Sequence, residues 1–202
     1  DHTKGLGVVM RGLAKMGRQP LVYAADETVR ASKAVQDATS SCETRSFRPE
    51  ECLTAAGISI FPFATSHDAA ASFGFRFEAN GDAAGFMTDT GIVTPQAHAH
   101  LADVRLLALE SNHDPKMLSE GPYPYVVKQR IASDKGHLSN EQAAEELASL
   151  LSNRLQAVAT MHVSENNNEY DLALRAFRAV MEREGCAARV TCGYQGRLST
   201  LA

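Results

Sequence analysis

Histidines and carboxylates in this chain follow apolar, strand-like runs, at the points where those runs end. His67, Asp89, Glu110 and His162 each stand at or just beyond such a run. Because strands that end at one edge of a sheet bring their last residues together, these side chains can meet although they are far apart in sequence. Imidazole and carboxylate groups are ligands for divalent metals, and grouping them without a metal or a charged partner would be costly. The pattern therefore predicts a metal site at a sheet edge.

The elements that must position these side chains can be read from apolar periodicity and turn residues. Asn80-Gly81-Asp82 predicts a hairpin, Ser139 and Gln142 have the spacing of a capping box, and the polar stretch 36–46 predicts a mobile loop. We expect helices near 5–15, 26–34, 94–101, 125–132, 140–151 and 169–184, and strands near 21–24, 57–65, 72–79, 83–88, 104–109, 155–161 and 187–192. Strands first and strand–helix alternation later predict a mixed α/β sandwich with its sheet buried between helices.

The bulk composition is that of a globular protein. A chain of 202 residues predicts one domain over 1–202, with 44% hydrophobic and 22% charged residues. A net charge of −4 argues weakly against nucleic-acid binding, although two bound divalent cations would make a site locally positive. The four cysteines form no CxxC pair, which favours free thiols and a cytoplasmic location. No apolar stretch approaches the roughly 20 residues that cross a bilayer.

Several short motifs resemble a known family. Asp1-His2-Thr-Lys-Gly-Leu-Gly is similar to the second half of the His-x-His-x-Asp-His signature of metallo-β-lactamase-fold hydrolases, and His67, Asp89 and His162 follow in that family's order. Seven further motifs resemble its YycJ branch, also called WalJ: Ser66-His-Asp-Ala, Thr88-Asp-Thr-Gly, Leu109-Glu-Ser-Asn-His-Asp114, Gly121-Pro-Tyr-Pro, Lys128-Gln-Arg-Ile, Gly136-His-Leu-Ser-Asn140 and Val163-Ser-Glu-Asn-Asn167. The resemblance implies an α/β fold, the αββα four-layer sandwich, with its first strands missing from this chain.

The same resemblance implies two divalent metal ions, Zn or Mn. Asp1, His2, Asp89 and His162 would hold the second metal, His67 would hold the first, and Asp89 would bridge both. The two histidines that lead the family signature are absent, so we expect the natural chain to begin upstream of Asp1 and to supply them. As it stands, the first site keeps too few ligands for tight binding.

Further residues take roles around that centre. Asp1 could orient the attacking water or take its proton, and His137 could protonate the leaving oxygen or hydrogen-bond the phosphate. Lys128, Arg130 and Lys135 are candidate contacts for flanking phosphates. Glu110, His113 and Asn167 are candidates for bracing the metal ligands through hydrogen bonds.

The function that follows is a metal-dependent hydrolase, a phosphodiesterase or exonuclease that acts on DNA in the cytoplasm and does not engage a membrane. One alternative is a thioester- or lactam-type metallohydrolase, because the fold accepts other substrate pockets. Another is a non-catalytic fragment or binding module, because the leading histidine pair is absent. The sequence leaves open the metal, the choice between DNA and RNA, and the oligomeric state.

Overall fold

The computed structural model describes residue 3 and residues 5–201 of the chain. Its strands are β1 (Val22–Tyr23), β2 (Thr44–Arg45), β3 (Leu53–Ala55), β4 (Ile58–Ala64), β5 (Phe73–Ala79), β6 (Asp82–Met87), β7 (Leu106–Glu110), β8 (Ala157–Met161) and β9 (Arg189–Cys192). Its helices are α1 (Leu6–Lys15), α2 (Asp26–Ala31), α3 (Lys33–Thr39), α4 (Pro95–Leu101), α5 (Pro115–Glu120), α6 (Tyr125–Ile131), α7 (Asn140–Leu150) and α8 (Tyr170–Arg183).

A seven-stranded mixed sheet forms the centre of the molecule. Its strand order is β3-β4-β5-β6-β7-β8-β9, in sequence order across the sheet. The strands from β3 to β6 pair antiparallel, and those from β6 to β9 pair parallel. β1 and β2 pair in parallel as a separate two-stranded sheet.

The main core lies between one face of this sheet and three helices, α4, α7 and α8. Alternate residues of the parallel strands, such as Leu107, Leu109 and Val158, point to this face and are fully buried. Leu147 and Phe177 meet them from α7 and α8. The period of two along the strands and the apolar stripes along the helices account for this layer.

A second, smaller cluster packs against β4 and β5. It consists of Ala25, Phe47 and Leu53, with partly buried neighbours that include Phe73 and Phe75. The Phe47 ring meets Phe73 edge to face, with 5.0 Å between ring centroids. This cluster attaches the part of the chain from α1 to β2, called here the N-terminal part, to the main sheet.

The register of the parallel strands aligns their carboxyl ends. Met87 is opposite Leu109, and Glu110 is opposite Met161, so the residues that follow β6, β7 and β8 leave the sheet side by side. β4 runs in the same direction as β6, since both are antiparallel to β5 between them. The segment after β4 therefore reaches the same edge, as the sequence predicted for His67.

Two local sequence signals are confirmed. The hairpin between β5 and β6 turns through Asn80 and Gly81, both with positive φ, which is the backbone that an Asn-Gly pair favours. The capping box at the start of α7 is complete, with the Ser139 hydroxyl accepting from the Gln142 backbone and the Gln142 side chain accepting from the Ser139 backbone.

The expectation of a helix over 26–34 and a mobile loop over 36–46 is wrong. Ser32 has an extended backbone, and its hydroxyl accepts a hydrogen bond from the Val35 backbone. It therefore ends α2 and caps a new helix, α3, which runs to Thr39 with Val35 and Thr39 buried. β2 then occupies Thr44–Arg45. The short elements β3 and α5 were also not predicted. Within the described part of the chain, no helix has the length and apolar character needed to cross a membrane.

Candidate metal centre

Two site residues have an unusual backbone. Asp89 follows β6 and His162 follows β8, and their φ values are 56° and 55°, in the left-handed region. This conformation costs an L-residue about 1–2 kcal/mol. Such strain persists only where the surroundings hold the backbone in place. The chain therefore changes direction just after each strand, at the residue that carries the candidate ligand.

Glu110, the last residue of β7, is the centre of the polar network. Its carboxylate is fully buried. Five groups donate hydrogen bonds to its two oxygens: the backbone N–H groups of Asp89, Thr90 and Leu138, and Nδ1 of His137 and of His162. Burial alone would raise the pKa of Glu110, but the hydrogen bonds from the two histidines outweigh it and lower the pKa to about 2. The group is therefore a carboxylate that fixes its neighbours.

His67 lies 3.6 Å from Asp89, measured from Nε2 to Oδ1. Its Nδ1 lies 2.9 Å from the carbonyl oxygen of Gly136. A carbonyl oxygen can only accept, so Nδ1 carries a hydrogen and Nε2 is the nitrogen that can offer a lone pair to a metal. Asp68 Oδ1 is also 3.6 Å from this Nε2.

His67, His137 and His162 share this arrangement. Each ring donates from Nδ1, to the Gly136 carbonyl or to the Glu110 carboxylate, and its other nitrogen, Nε2, is the one that can bind a metal. The ring centroids of His67 and His137 are 4.9 Å apart, and those of His137 and His162 are 5.1 Å apart. This donor set fits a divalent metal better than it fits a structural hydrogen-bond network.

Ligand atoms of Asp89, Glu110, His137 and His162 lie within 4.8 Å of one another, so this group could hold a metal ion. Glu110 is the least suitable of the four as a ligand, because its oxygens already accept hydrogen bonds from three backbone groups and two histidines. The Thr88 hydroxyl donates to Asp89 Oδ2 at 2.9 Å and orients that carboxylate.

The His162 ring has a raised pKa. Burial lowers it, but the hydrogen bond to Glu110 and the negative charges of Asp89 and Glu110 outweigh burial. His113 has the opposite balance: burial and the neighbouring His137 lower its pKa to about 4, and its buried Nδ1 has no hydrogen-bond partner among the described residues.

A double connection joins the loop that carries His67 to the loop that carries His137. The Ser66 hydroxyl donates to the Asp134 carbonyl at 2.6 Å, and the Asp68 backbone donates to the Lys135 carbonyl at 3.1 Å. Gly91, in the loop after β6, donates to the Ser66 carbonyl and lies against the same backbone, since a Cβ atom there would overlap Ser133 and Asp134.

The cations predicted to contact phosphate are close to these loops, and two of the three already make side-chain contacts. Arg130 forms a bidentate ion pair with Asp68. Lys128 Nζ donates to the Ser119 carbonyl at 2.7 Å. The Lys135 side chain is exposed.

Comparison with known proteins identifies the family of this chain. A family model described as "Beta-lactamase superfamily domain" matches residues 1–160. The chain belongs to the beta-lactamase superfamily. It is 34% identical over 185 residues to the Bacillus anthracis protein named exodeoxyribonuclease YycJ, which covers 92% of the chain and 68% of that protein. It is 36% identical over 176 residues to the Streptococcus pneumoniae protein named exodeoxyribonuclease WalJ, over 86% of the chain and 63% of that protein.

Solved structures of the superfamily share the fold. The metallo-β-lactamase-fold protein YhfI from Bacillus subtilis superposes with a TM-score of 0.69 at 15% identity, over 97% of this chain and 71% of that one. The YycJ/WalJ resemblance and the α/β metallo-β-lactamase fold expected from the sequence are both confirmed.

Two of the expected ligands of this superfamily site, Asp1 and His2, lie outside the described residues. The three residues expected to brace the metal ligands make different contacts. Glu110 contacts two site histidines, and the His113 carbonyl accepts from the Asn140 backbone. Asn167 is buried, but the hydrogen bond to the His162 carbonyl comes from Asn112 at 2.8 Å.

Sequence reasoning missed Asp68 and Asn112 as site residues. Asp68 is adjacent to His67 and holds Arg130, and Asn112 fixes the strained backbone of His162. Both stand inside motifs that resemble YycJ, Ser66-His-Asp-Ala and Leu109-Glu-Ser-Asn-His-Asp114. A polar residue next to another candidate site residue was therefore the available signal.

Proposed function

We propose that this chain belongs to a metal-dependent phosphodiesterase that acts as an exonuclease on DNA. The observation that carries the proposal is the set of three imidazoles, each held through Nδ1 so that Nε2 is left to bind a metal or to contact a substrate, around the Asp89 carboxylate. Relatives named exodeoxyribonuclease over most of the chain support the choice of substrate.

His67, Asp89 and His162 would hold two divalent cations, Zn²⁺ or Mn²⁺, together with Asp1 and His2. Asp89 would be the bridging ligand: its Oδ1 lies 3.6 Å from His67 Nε2, and the carboxylate is also close to the His162 ring. When bound, such a pair of cations lowers the pKa of water and offsets charge on a phosphate. Asp1 would orient the attacking water.

His137 would act on the leaving oxygen. Its Nδ1 is held by Glu110 at 3.0 Å, which leaves Nε2 to carry a proton toward the substrate. The centroid of this ring lies 4.9 Å from that of His67 and 5.1 Å from that of His162, so a phosphate held beside those two ligands would come within its reach. Glu110 is thus a positioning residue for both a ligand and the proton donor.

Phosphates flanking the scissile bond would contact Lys128, Arg130 and Lys135. Arg130 is placed for this by Asp68, the neighbour of His67. His113 and Asn167 would brace the loops beneath the site, as both are buried there.

The test is an assay of the full-length protein on end-labelled DNA, with Mn²⁺ and Zn²⁺ supplied separately. We expect His67→Ala and Asp89→Asn to lose DNA cleavage by 100-fold or more, since each removes a ligand. His98→Ala is the matched control: His98 pairs with Glu146 on α4 and α7, away from the site, and its loss should leave the rate within about twofold of wild type.

Other substrates in the same assay decide between the alternatives. RNA, a thioester and a β-lactam reporter are each tested against the same variants. Cleavage of a thioester or a lactam but of no nucleic acid would refute the proposal in favour of another metallohydrolase. Failure of the full-length protein to bind metal or to turn over any substrate would favour a binding module.

A further inference from the structure

The segment 121–137, called here the α6 segment, lies along the edge of the candidate site. At its start, the Asn166 amide donates to the Tyr123 hydroxyl at 2.9 Å, and Asn166 is four residues after His162. Near its end, Arg130 binds Asp68 next to His67. The segment then supplies His137 itself. It is therefore tied to the loops that follow both β4 and β8, and α6 connects those two attachments.

α6 presents two apolar side chains to solvent. Tyr125 is 74% exposed and Val126 is 76% exposed, on a helix whose ends are both fixed by side-chain contacts. A single exposed apolar residue needs no explanation, but an adjacent pair with an aromatic ring beside a candidate active site indicates a contact surface. The Tyr125 ring is wide and flat enough to receive another ring.

The charge around this pair complements a nucleic acid. The α6 segment carries three cations, Lys128, Arg130 and Lys135, and one carboxylate, Asp134, in a chain whose net charge is −4. Asp68 pairs with Arg130 from outside the segment, and the local balance stays positive. A local positive balance in an acidic protein favours a polyanion over an apolar peptide. Aromatic rings interleaved with cations are the usual surface for unpaired nucleotides, because every base has a face that can stack.

We infer that Tyr125, supported by Val126, is a stacking platform for an unpaired base of the DNA end whose phosphate occupies the candidate metal centre. This inference rests on the proposed function. It adds that the enzyme would prefer DNA with an unpaired end and would not select a particular base sequence. The base stacks on the exposed ring, and the backbone passes the cations of the α6 segment on its way to His137.

The test uses the full-length protein and a single-stranded oligonucleotide, compared with oligonucleotides of the same length that are abasic at the 5′ or the 3′ terminal nucleotide. Kd is measured by fluorescence anisotropy in EDTA, and KM and kcat are measured with Mn²⁺. For the intact oligonucleotide we expect Tyr125→Ala to raise Kd and KM about tenfold and to leave kcat within about twofold. For the abasic oligonucleotide that lacks the stacked base, Tyr125→Ala should leave Kd and KM unchanged. Tyr125→Phe, which keeps the ring, should behave as wild type.

Ile58→Ala is the matched surface control. Ile58 is 38% exposed at the start of β4, the end of that strand away from the site, and its loss should leave Kd and KM unchanged. Equal effects of Tyr125→Ala on intact and both abasic substrates, or no effect on any of them, would overturn the stacking platform. A wild-type protein that binds the oligonucleotide with this base dependence but cleaves nothing would instead refute the nuclease proposal and leave the platform standing.

Discussion

The N-terminal part of the chain, from α1 to β2, and the part that carries the candidate site differ in how they are held. α1 and α2 bury no side chain among the described residues, and α1 and its C-cap leave Val8, Val9 and Met16 largely exposed. In the site-bearing part, β7 buries four residues in succession, including the charged Glu110. The described residues of the candidate site therefore lie where the packing is tightest. A strained and charged cluster of this kind needs rigid surroundings.

The strongest way to break this contrast is to change Glu110. In Glu110→Gln the amide presents two hydrogens to a pocket filled with donors, so several of the hydrogen bonds to this side chain are lost. We expect the free energy of unfolding to fall by about 3 kcal/mol or more and metal affinity to fall at least tenfold. Urea unfolding and calorimetric metal titration measure the two effects.

Glu27→Gln is the matched change in the N-terminal part. Glu27 makes an exposed contact to Arg30 within α2 at 3.4 Å. Its loss should change the free energy of unfolding by no more than about 0.5 kcal/mol. Similar costs for the two substitutions would contradict the contrast.

Adding one methyl group tests the contrast at the backbone. Gly91→Ala forces Cβ against the backbone of Ser133 and Asp134, so the loop that carries His137 must move. We expect a loss of about 3 kcal/mol in the free energy of unfolding, together with loss of DNA cleavage. Gly12→Ala in α1 meets nothing within 4 Å and should instead stabilise by about 0.5–1 kcal/mol. Thermal unfolding of both variants gives the signs, and a destabilising Gly12→Ala would contradict the open surroundings of Gly12.

A pH dependence that belongs to the site-bearing part should develop gradually as the pH falls. His113 has its pKa lowered to about 4 by burial and by His137, whereas an unfolded histidine titrates near 6.5. Below pH 6.5 the unfolded chain therefore takes up a proton that the folded chain refuses. The stability contributed by the neutral ring is fully present above pH 6.5 and is lost as the pH falls toward 4, with a slope of up to about 1.4 kcal/mol per pH unit.

His113→Gln should lack that component of the slope. Urea unfolding of the wild type and the variant at several pH values between 4 and 7 measures it. Parallel curves for the two proteins would mean that His113 does not contribute to acid sensitivity.

Much of the site-bearing part could be predicted from sequence because its signals are local and strong. The Asn-Gly hairpin, the Ser139–Gln142 capping box and the apolar strands each specify one backbone conformation. The positions of Asp89 and His162 after β6 and β8 followed from strand ends alone. The N-terminal part was predicted less well, because the Ser32 cap interrupts a helical pattern without a glycine or a proline.

The details of the site could not be read from the sequence for a different reason. Which nitrogen of each histidine is held, and by what, depends on contacts between residues that are 27 to 69 positions apart, such as His137 with Glu110 and His67 with Gly136. The left-handed backbone of His162 also has no local signal, since histidine is not a residue that such a turn requires. These features arise only when the sheet brings the loops together.

At Asp89 and His162 the left-handed backbone costs stability, while the side chain is a candidate metal ligand. Glycine or asparagine would adopt these backbone angles with less strain, so replacement at either position would relax the turn while removing a donor from the cluster. At His162 the relief of strain is opposed by the loss of a hydrogen bond to the buried Glu110 carboxylate, whereas the Asp89 backbone would keep its own bond to Glu110 after a substitution. Selection for thermostability alone should therefore replace the candidate metal ligand at the turn after β6 before the one at the turn after β8.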